Sequence, residues 1–195
     1  QRIRIVSLSP ADRLLSLMDE SLQREFPSPA RVVLAVSGGA DSVAMLRSWH
    51  SIRQGGEDRV VVASFDHGLR PESAADVEFA RQLAGRLGFG FVTGSPERAI
   101  EKGRGESIES AARRERYAFL SKVAVDHGAS AVLTAHTADD QIETVLFRIV
   151  RGTGLAGLAG IPTRRWVAEG IDVVRPMLGI RRSEIEAYLR SIDQP

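Results

Sequence analysis

The sequence predicts a single α/β domain built on an open, mostly parallel five-stranded sheet with helices on both faces. Short, β-branched, apolar runs alternate along the 195-residue chain with longer segments of helical periodicity, as in a parallel sheet joined by crossover helices. The apolar runs are continuous, which is typical of strands buried on both faces. Hydrophobic residues make up 43% of the chain, and no repeat or linker divides it, so the elements can share one core.

The elements of the first half follow from this pattern in order. "ADRLLSLMDESLQREF" (11–26) has helical periodicity, and "RVVLAVS" (31–37) is a buried strand. The next helix begins at Asp41 and ends near Gln54, where two glycines stop it. A strand, a helix and a strand complete this half, at 59–66, 72–88 and 89–94.

The second half continues the alternation around two loops. "RAIEKGRG" (98–105) predicts a flexible loop, and the glycine-rich "RGTGLAGLAGIP" (151–162) predicts either a mobile lid or a loop that faces RNA. The other elements are three helices and two strands, at 106–128, 131–136 (strand), 138–150, 172–178 (strand) and 181–192. The helix over 138–150 should bury one apolar stripe, formed by Ile142, Val145, Leu146, Ile149 and Val150.

The composition excludes several kinds of chemistry. The chain has no cysteine, which excludes disulfides, thiolate nucleophiles, cysteine-ligated zinc and iron–sulfur clusters. Its net charge of +1 argues against binding of nucleic acid over the whole surface but leaves local basic patches open. No apolar stretch approaches the roughly 20 residues that span a bilayer, so we expect a cytoplasmic protein without a membrane partner.

Three polar clusters fall at the ends of predicted strands. Ser37-Gly38-Gly39 follows the first strand, Asp66-His67 ends the second, and 136–140 follows the fourth. In a parallel sheet, ligands bind beyond the carboxyl ends of the strands. We therefore expect these clusters to meet at one edge of the sheet and to form one site.

The segment "SGGADS" after the first strand has the chemistry of an anion-binding turn. Its glycines let a ligand approach the backbone closely, and the following helix offers free N–H groups and a partial positive charge. No lysine follows the glycines, so a pyrophosphate unit fits better than a γ-phosphate held for transfer. Asp41 would repel phosphate directly and is predicted to act through Mg²⁺. The alternative is a tight strand-to-helix turn with Ser37 as its N-cap.

At this loop the chain resembles a known superfamily. "SGGADS" is similar to the pyrophosphate-loop signature of the N-type ATP pyrophosphatases. Later segments resemble, in order, one member family, the tRNA(Ile)-lysidine synthetases: "FDHGLRPES", "AARRERY", "TAHTADDQIETVLFRIVRGTGLAGLAGIP" and "VVRPMLGIRRSEIEAYL". The resemblance implies a Rossmann-like fold of the adenine nucleotide α-hydrolase type. The residues predicted to bind ATP with Mg²⁺ are Ser37, Gly38, Gly39, Ala40, Asp41, Ser42, Asp66 and His67. For Asp66 and His67, capping of the turn after their strand is an equal alternative.

The resemblance also implies a reaction. A lysidine synthetase uses ATP to adenylate the wobble cytidine of an isoleucine tRNA with a CAU anticodon, and free L-lysine then displaces AMP to form a C–N bond. The resemblance further implies one catalytic domain over 1–195, truncated at its C-terminal end, with the family's tRNA-binding domains absent. It leaves a homodimer open.

Two carboxylates are predicted to share one face of the helix over 138–150. Asp140 and Glu143 lie one turn apart near the sheet edge, where they can hold Mg²⁺ or the ammonium groups of lysine. One of them can also take a proton from the attacking amine. By resemblance, both bind lysine and Asp140 serves catalysis; the alternative is a solvated helix face.

His136 and two arginines complete the predicted site. By resemblance, His136 contacts ATP phosphate or the target nucleotide, and a satisfied core histidine is the alternative. Arg113 and Arg116 are predicted to face the sheet edge and to neutralise the departing pyrophosphate, whereas Arg114 faces water. Surface ion pairs with nearby glutamates are the alternative for these arginines.

Two other hypotheses explain parts of the pattern. A tRNA thiolase or an amide-forming synthetase of the same superfamily would share the loop. Thiolases generally carry cysteines, however, and an amide-forming synthetase should lack "HTADDQIET". A nucleotide-binding module without chemistry would bind ATP and release no pyrophosphate with lysine and tRNA.

Overall fold

The computed structural model describes residues 9–53, 59–68, 71, 73–96, 103 and 105–194. The helices in this part of the chain are α1 (Pro10–Glu25), α2 (Ala40–Ile52), α3 (Ser73–Arg86), α4 (Ile108–Asp126), α5 (Ala138–Val150), α6 (Leu155–Leu158) and α7 (Arg182–Ser191). The strands are β1 (Val32–Ala35), β2 (Val60–Phe65), β3 (Gly90–Gly94), β4 (Ala131–Leu133), β5 (Arg164–Ala168) and β6 (Ile171–Val174). The loop predicted over 98–105 lies largely outside the described residues.

The strands form one open sheet in the order β3-β2-β1-β4-β6-β5, and all of its pairs are parallel except β5 with β6. The predicted mostly parallel α/β class is therefore confirmed. The predicted number of five strands is wrong, because the described residues form six. The missed strand, β5, is an exposed edge strand that starts with two arginines, so it has no continuous apolar run.

Helices cover both faces of the sheet. Successive residues of a strand point to opposite faces, so Val32 and Leu34 join the core under α1, α2, α3 and α7, whereas Val33 joins the core under α4. None of the helices in the described part of the chain combines the length and the apolar character that a bilayer crossing requires.

Helix α5 has the predicted bounds, but the predicted burial of its apolar stripe is wrong. Ile142, Leu146, Ile149 and Val150 are 44%, 56%, 52% and 85% exposed, and Val145 is only partly buried. The main packing partner of α5 is α6, which has four residues and is too short to cover the stripe.

The order of the strands places a crevice beside β1. The chain runs outward from β1 to β2 and β3 on one side, and β4 continues on the other side. Connections therefore diverge between β1 and β4, and this is where ligands bind in such sheets. The carboxyl ends of β1, β2 and β4 meet at this crevice, as the sequence predicts.

Candidate active site

A cavity of about 400 Å³ opens at the carboxyl ends of β1, β2 and β4, a volume that suits a small-molecule ligand. The predicted residues that line it are Ser37, Gly39, Ala40, Asp41, Ser42, His67, Arg116, His136 and Asp140. Gly38, Asp66, Arg113 and Glu143 were also predicted for the site, and they are not among its lining residues. The three polar clusters of the sequence thus converge on one cavity.

The two glycines of the loop have different structural roles. Gly38 has a φ of +88°, and a Cβ there would lie 2.7 Å from the carbonyl oxygen of Asp76, so the turn requires glycine. Gly39 has an ordinary extended backbone, and a Cβ there would meet only Ser37 Oγ, at 3.8 Å. The space beside Gly39 is therefore open to the cavity.

Helix α2 begins directly after these glycines and presents its N-terminus to the cavity. Its N-cap is Gly39, which provides no side-chain hydrogen bond, so the first N–H groups of the helix are available to an anion. The alternative turn with Ser37 as N-cap is therefore not the one observed. Ser42 Oγ instead fixes the loop, because it accepts from the backbone N–H of Ser37 at 3.1 Å and donates to the carbonyl of Gly39 at 2.8 Å.

Acidic side chains from α2 and α5 meet at the cavity around one arginine. Arg182 Nε lies 3.7 Å from Asp41 Oδ2, and its Nη2 lies 3.5 Å from Asp140 Oδ1. Burial raises the pKa of Asp41, Arg182 opposes this shift, and Asp140 and Asp139 add to it. Within the described part of the chain, the buried Asp41 Oδ1 has no hydrogen-bond partner. This grouping of carboxylates can accept a cation.

Asp140 is held in position by the start of its own helix. Its Oδ2 accepts from the backbone N–H of Thr137 at 2.7 Å, while Thr137 Oγ1 accepts from the backbone N–H of Asp140 at 3.3 Å, which makes a capping box. The other oxygen, Asp140 Oδ1, accepts from Arg182 Nη2 at 3.5 Å. Glu143, one turn later, is exposed.

His136 is partly buried and hydrogen-bonds through Nδ1 with Thr134 Oγ1 at 3.0 Å. Burial, together with the nearby charges of Arg175 and Arg113, lowers the pKa of His136 to about 4. The imidazole is therefore neutral at neutral pH. It can donate or accept one hydrogen bond at the cavity, but it does not act as a cation toward phosphate.

The neighbouring arginines of α4 are directed to different places. Arg116 lines the cavity, whereas Arg113 lies beside it and donates from Nη2 to the hydroxyl of Tyr117 at 3.4 Å. Arg114 forms ion pairs with Glu106 and Glu115 on the exposed side of the helix. Arg116 and Arg114 thus point in the predicted directions, whereas Arg113 lies outside the cavity that it was predicted to face.

Asp66 and His67 lie in different environments: Asp66 caps a turn, and His67 lines the cavity. Asp66 Oδ1 accepts from the backbone N–H of Gly68 at 2.8 Å, so Asp66 caps the turn after β2. Hydrogen bonds from Ser73 and Gly68 lower the pKa of Asp66. His67 lies at the cavity wall.

Arg182, which is not among the residues predicted from the sequence, bridges the predicted residues Asp41 and Asp140. Arg182 is the first residue of α7, and an arginine is electrostatically unfavourable at a helix N-terminus. A positive charge at this position therefore indicates that a carboxylate from another element lies close to it. The carboxylate itself cannot be identified without the fold.

A family model described as a PP-loop domain matches residues 11–195. The chain belongs to the PP-loop domain family. This is a family of ATP-binding domains, which agrees with the open glycine loop at the start of α2.

Curated proteins named tRNA(Ile)-lysidine synthase are similar to this PP-loop domain over most of its length. A protein of Thermus thermophilus is 53% identical over 161 residues, which cover 82% of this chain and 30% of the relative. The protein of Geobacter sulfurreducens is 43% identical over 188 residues, with 94% and 39% covered. The chain thus spans less than half the length of these relatives.

Solved structures of low sequence identity show the same fold. A U34-tRNA thiolase from Methanococcus maripaludis superimposes with a TM-score of 0.76 at 14% identity, covering 93% of this chain and 63% of the thiolase. An NH3-dependent NAD synthetase from Campylobacter jejuni gives a TM-score of 0.63 at 16% identity, with 96% and 75% covered. At these identities, the likeness establishes the fold alone.

Proposed function

We propose that this PP-loop domain is the catalytic domain of a tRNA(Ile)-lysidine synthetase. ATP adenylates the wobble cytidine of an isoleucine tRNA with a CAU anticodon, pyrophosphate leaves, and free L-lysine displaces AMP. The main support for the proposal is that the open glycine loop, Asp41 and Asp140 line the same cavity. The names of the relatives support the choice of lysine and tRNA(Ile) as substrates. A tRNA substrate also implies a reaction in the cytoplasm.

The loop and α2 are proposed to hold the triphosphate of ATP. Residues 39–42 line the cavity at the N-terminus of α2, where unpaired backbone N–H groups and a partial positive charge suit phosphate oxygens. Arg116, at the opposite wall, would stabilise the negative charge that grows on the departing pyrophosphate. His136, being neutral, would orient a phosphate oxygen or the target base with a single hydrogen bond.

The residues present fit Mg²⁺ at Asp41. Asp41 Oδ1 is buried without a hydrogen-bond partner among the described residues, and Asp140 faces the same arginine as Asp41. Mg²⁺ that is shared with a nucleotide is commonly bound by one or two carboxylates and by phosphates. When bound, the ion supplies neutralising charge to the phosphate oxygens.

Asp140 and Glu143 are proposed to bind lysine. Asp140 Oδ1, which now faces Arg182, and the exposed carboxylate of Glu143 can each pair with an ammonium group, and Asp140 Oδ1 can accept the proton that the amine loses. Asp140→Asn and Glu143→Gln should each raise the KM for lysine by about ten- to a hundredfold. ATP affinity should change little, and Glu78→Gln on α3 is the matched control. An unchanged KM for lysine in both variants would contradict this assignment.

The function itself is tested by nucleoside mass spectrometry. The protein is incubated with ATP, Mg²⁺, isotope-labelled lysine and an unmodified tRNA(Ile) transcript with a CAU anticodon. We expect the label in the wobble nucleoside and one pyrophosphate released for each lysine incorporated. Consumption of ammonia instead of lysine would indicate an amide-forming synthetase. ATP binding without lysine-dependent pyrophosphate release would indicate a binding module.

A further inference from the structure

A second concave surface lies next to the cavity, between α4 and β5. We call it the α4–β5 groove. Its lining residues include Arg113, Tyr117, Arg165 and Trp166. The guanidinium carbons of Arg113, Arg116 and Arg165 lie 5.2, 5.6 and 5.6 Å from the centre of the Tyr117 ring. Trp166 is 68% exposed beside them. The groove thus combines concentrated positive charge with an accessible aromatic face.

These arginines are not neutralised within the described part of the chain. Arg113, Arg116, Arg165 and Arg175 form no ion pair there with a carboxylate, although Arg164, adjacent in sequence, pairs with both Glu25 and Asp172. The four arginines without a carboxylate come from α4, from β5 and from the end of β6.

Gathering like charges in this way is unfavourable without an external anion. Burial lowers the pKa of Arg116, and Arg113 lowers it further. Burial also lowers the pKa of Arg175, and Arg165 and Arg113 add to the shift. Arg175 is buried, its Nη1 donates to the carbonyl of Pro162 at 2.7 Å, and its Nε has no hydrogen-bond partner among the described residues. A polyanion bound at the exposed Arg113 and Arg165 would reduce the repulsion among these arginines.

The groove and the candidate active site share one wall. Arg116 lines the cavity, while Arg113, one turn before it on α4, lines the groove. Arg113 and Arg175 are also close enough to influence the pKa of His136 in the cavity. A chain lying in the groove would therefore pass directly beside the site of reaction.

We propose that the α4–β5 groove binds single-stranded RNA next to the reacting nucleotide. Arg113 and Arg165 bind backbone phosphates, and a base stacks on Trp166. Charge complementarity favours a phosphate backbone, and an aromatic platform amid arginines is a usual arrangement for unpaired bases. The proposal rests on the proposed function, because it assigns part of the tRNA substrate to a surface of this domain.

Tryptophan fluorescence provides a direct test, because the chain has two tryptophans and Trp49 is only 6% exposed. The probe is a single-stranded RNA heptamer with a central CAU, added without ATP or lysine. We expect the RNA to quench the tryptophan fluorescence. The quenching should come from Trp166, because a base can stack only on the exposed indole ring.

Variants then assign the contacts, with affinity measured by anisotropy of a labelled heptamer. Trp166→Ala, Arg113→Gln and Arg165→Gln should each weaken binding by about five- to a hundredfold. Each arginine variant should also reduce the salt slope, log Kd against log salt concentration, by about 0.7. Arg190→Gln, which removes an exposed arginine paired with Glu186, should leave binding unchanged. Circular dichroism verifies that each variant is folded.

The outcomes separate this inference from the proposed function. Absence of quenching, or equal affinity in all variants, overturns the groove assignment, as does an acidic heptapeptide that binds as tightly as the RNA. Lysidine formation with an unchanged KM for tRNA in Trp166→Ala overturns the groove assignment and leaves the function standing. Variant-sensitive RNA binding by a protein that makes no lysidine supports the groove and contradicts the function.

Discussion

At the scale of single residues, adjacent glycines in the loop are required for different reasons. Gly38 is required by the backbone, since its positive φ and its contact with Asp76 leave no room for a side chain. Gly39 has space around it, and that space is the cavity. We therefore expect folding to depend on Gly38 and ligand access to depend on Gly39.

Substitution of these glycines should separate stability from binding. Gly38→Ala should lower the free energy of unfolding by about 2 kcal/mol, since a left-handed conformation alone costs an L-residue roughly 1–2 kcal/mol. Gly39→Val should lower the melting temperature by less than Gly38→Ala does, through the poorer N-cap alone, and should abolish ATP binding. Calorimetry and thermal unfolding measure the two effects. Wild-type ATP affinity in Gly39→Val would exclude this loop as the phosphate site.

His136 gives a prediction on pH at the same scale. The unfolded imidazole titrates near 6.5 and the folded one near 4, so between these values the unfolded state binds more protons. Stability should therefore fall as the pH is lowered from about 6.5 to 4, by at most about 3 kcal/mol. Denaturant unfolding of His136→Gln should lack this loss. An NMR titration of His136 near pH 6.5 would contradict the prediction.

At the scale of elements, α5 is joined to the segment around α6 by hydrogen bonds rather than by a buried apolar core. The side-chain amide of Gln141 donates to the carbonyl of Ile161 at 2.9 Å. Arg148 Nη1 donates to the carbonyls of Gly157 and Gly160, at 3.1 and 3.0 Å. The glycine-rich segment predicted as a lid or an RNA-facing loop is thus tied to α5.

Removal of Arg148 should loosen that segment without unfolding the domain. In Arg148→Met, amide hydrogen exchange over 151–162 should become at least about tenfold faster, since hydrogen bonds from a charged donor contribute about 1.5–3 kcal/mol. Exchange in β1 and β4 should not change. Arg151→Met, which removes an exposed arginine stacked on Phe147, is the control. Equal exchange in both variants would show that Arg148 does not hold the segment.

At the scale of the whole molecule, α7 completes the site from the far end of the chain. It packs against α1 and α2, and its first residue places a guanidinium between Asp41 and Asp140. The backbone N–H of Arg182 also donates to Asp139 Oδ2 at 2.8 Å. Arg182 therefore occupies the position where a cationic ligand of the carboxylates would bind.

Loss of Arg182 should make the site more receptive to Mg²⁺. In Arg182→Gln the carboxylates lose their compensating charge, so the melting temperature should fall in the absence of metal. Added Mg²⁺ should then raise it by more than in the unsubstituted chain. Thermal unfolding across a Mg²⁺ titration measures the difference, with Arg190→Gln as control. An equal Mg²⁺ response in both variants would show that Arg182 does not compete with the ion.

The sequence by itself determined the α/β alternation, the open glycine loop and the convergence of the strand-end residues Ser37, His67 and His136. Each depends on local periodicity or on the rule that parallel strands carry ligands at their carboxyl ends. Only the tertiary structure decided the edge strand β5, the exposed face of α5 and the place of Arg182, 43 residues from Asp139. It also decided the cluster of arginines around Tyr117. These features depend on which elements become neighbours, and periodicity shows that a face is apolar without showing what covers it.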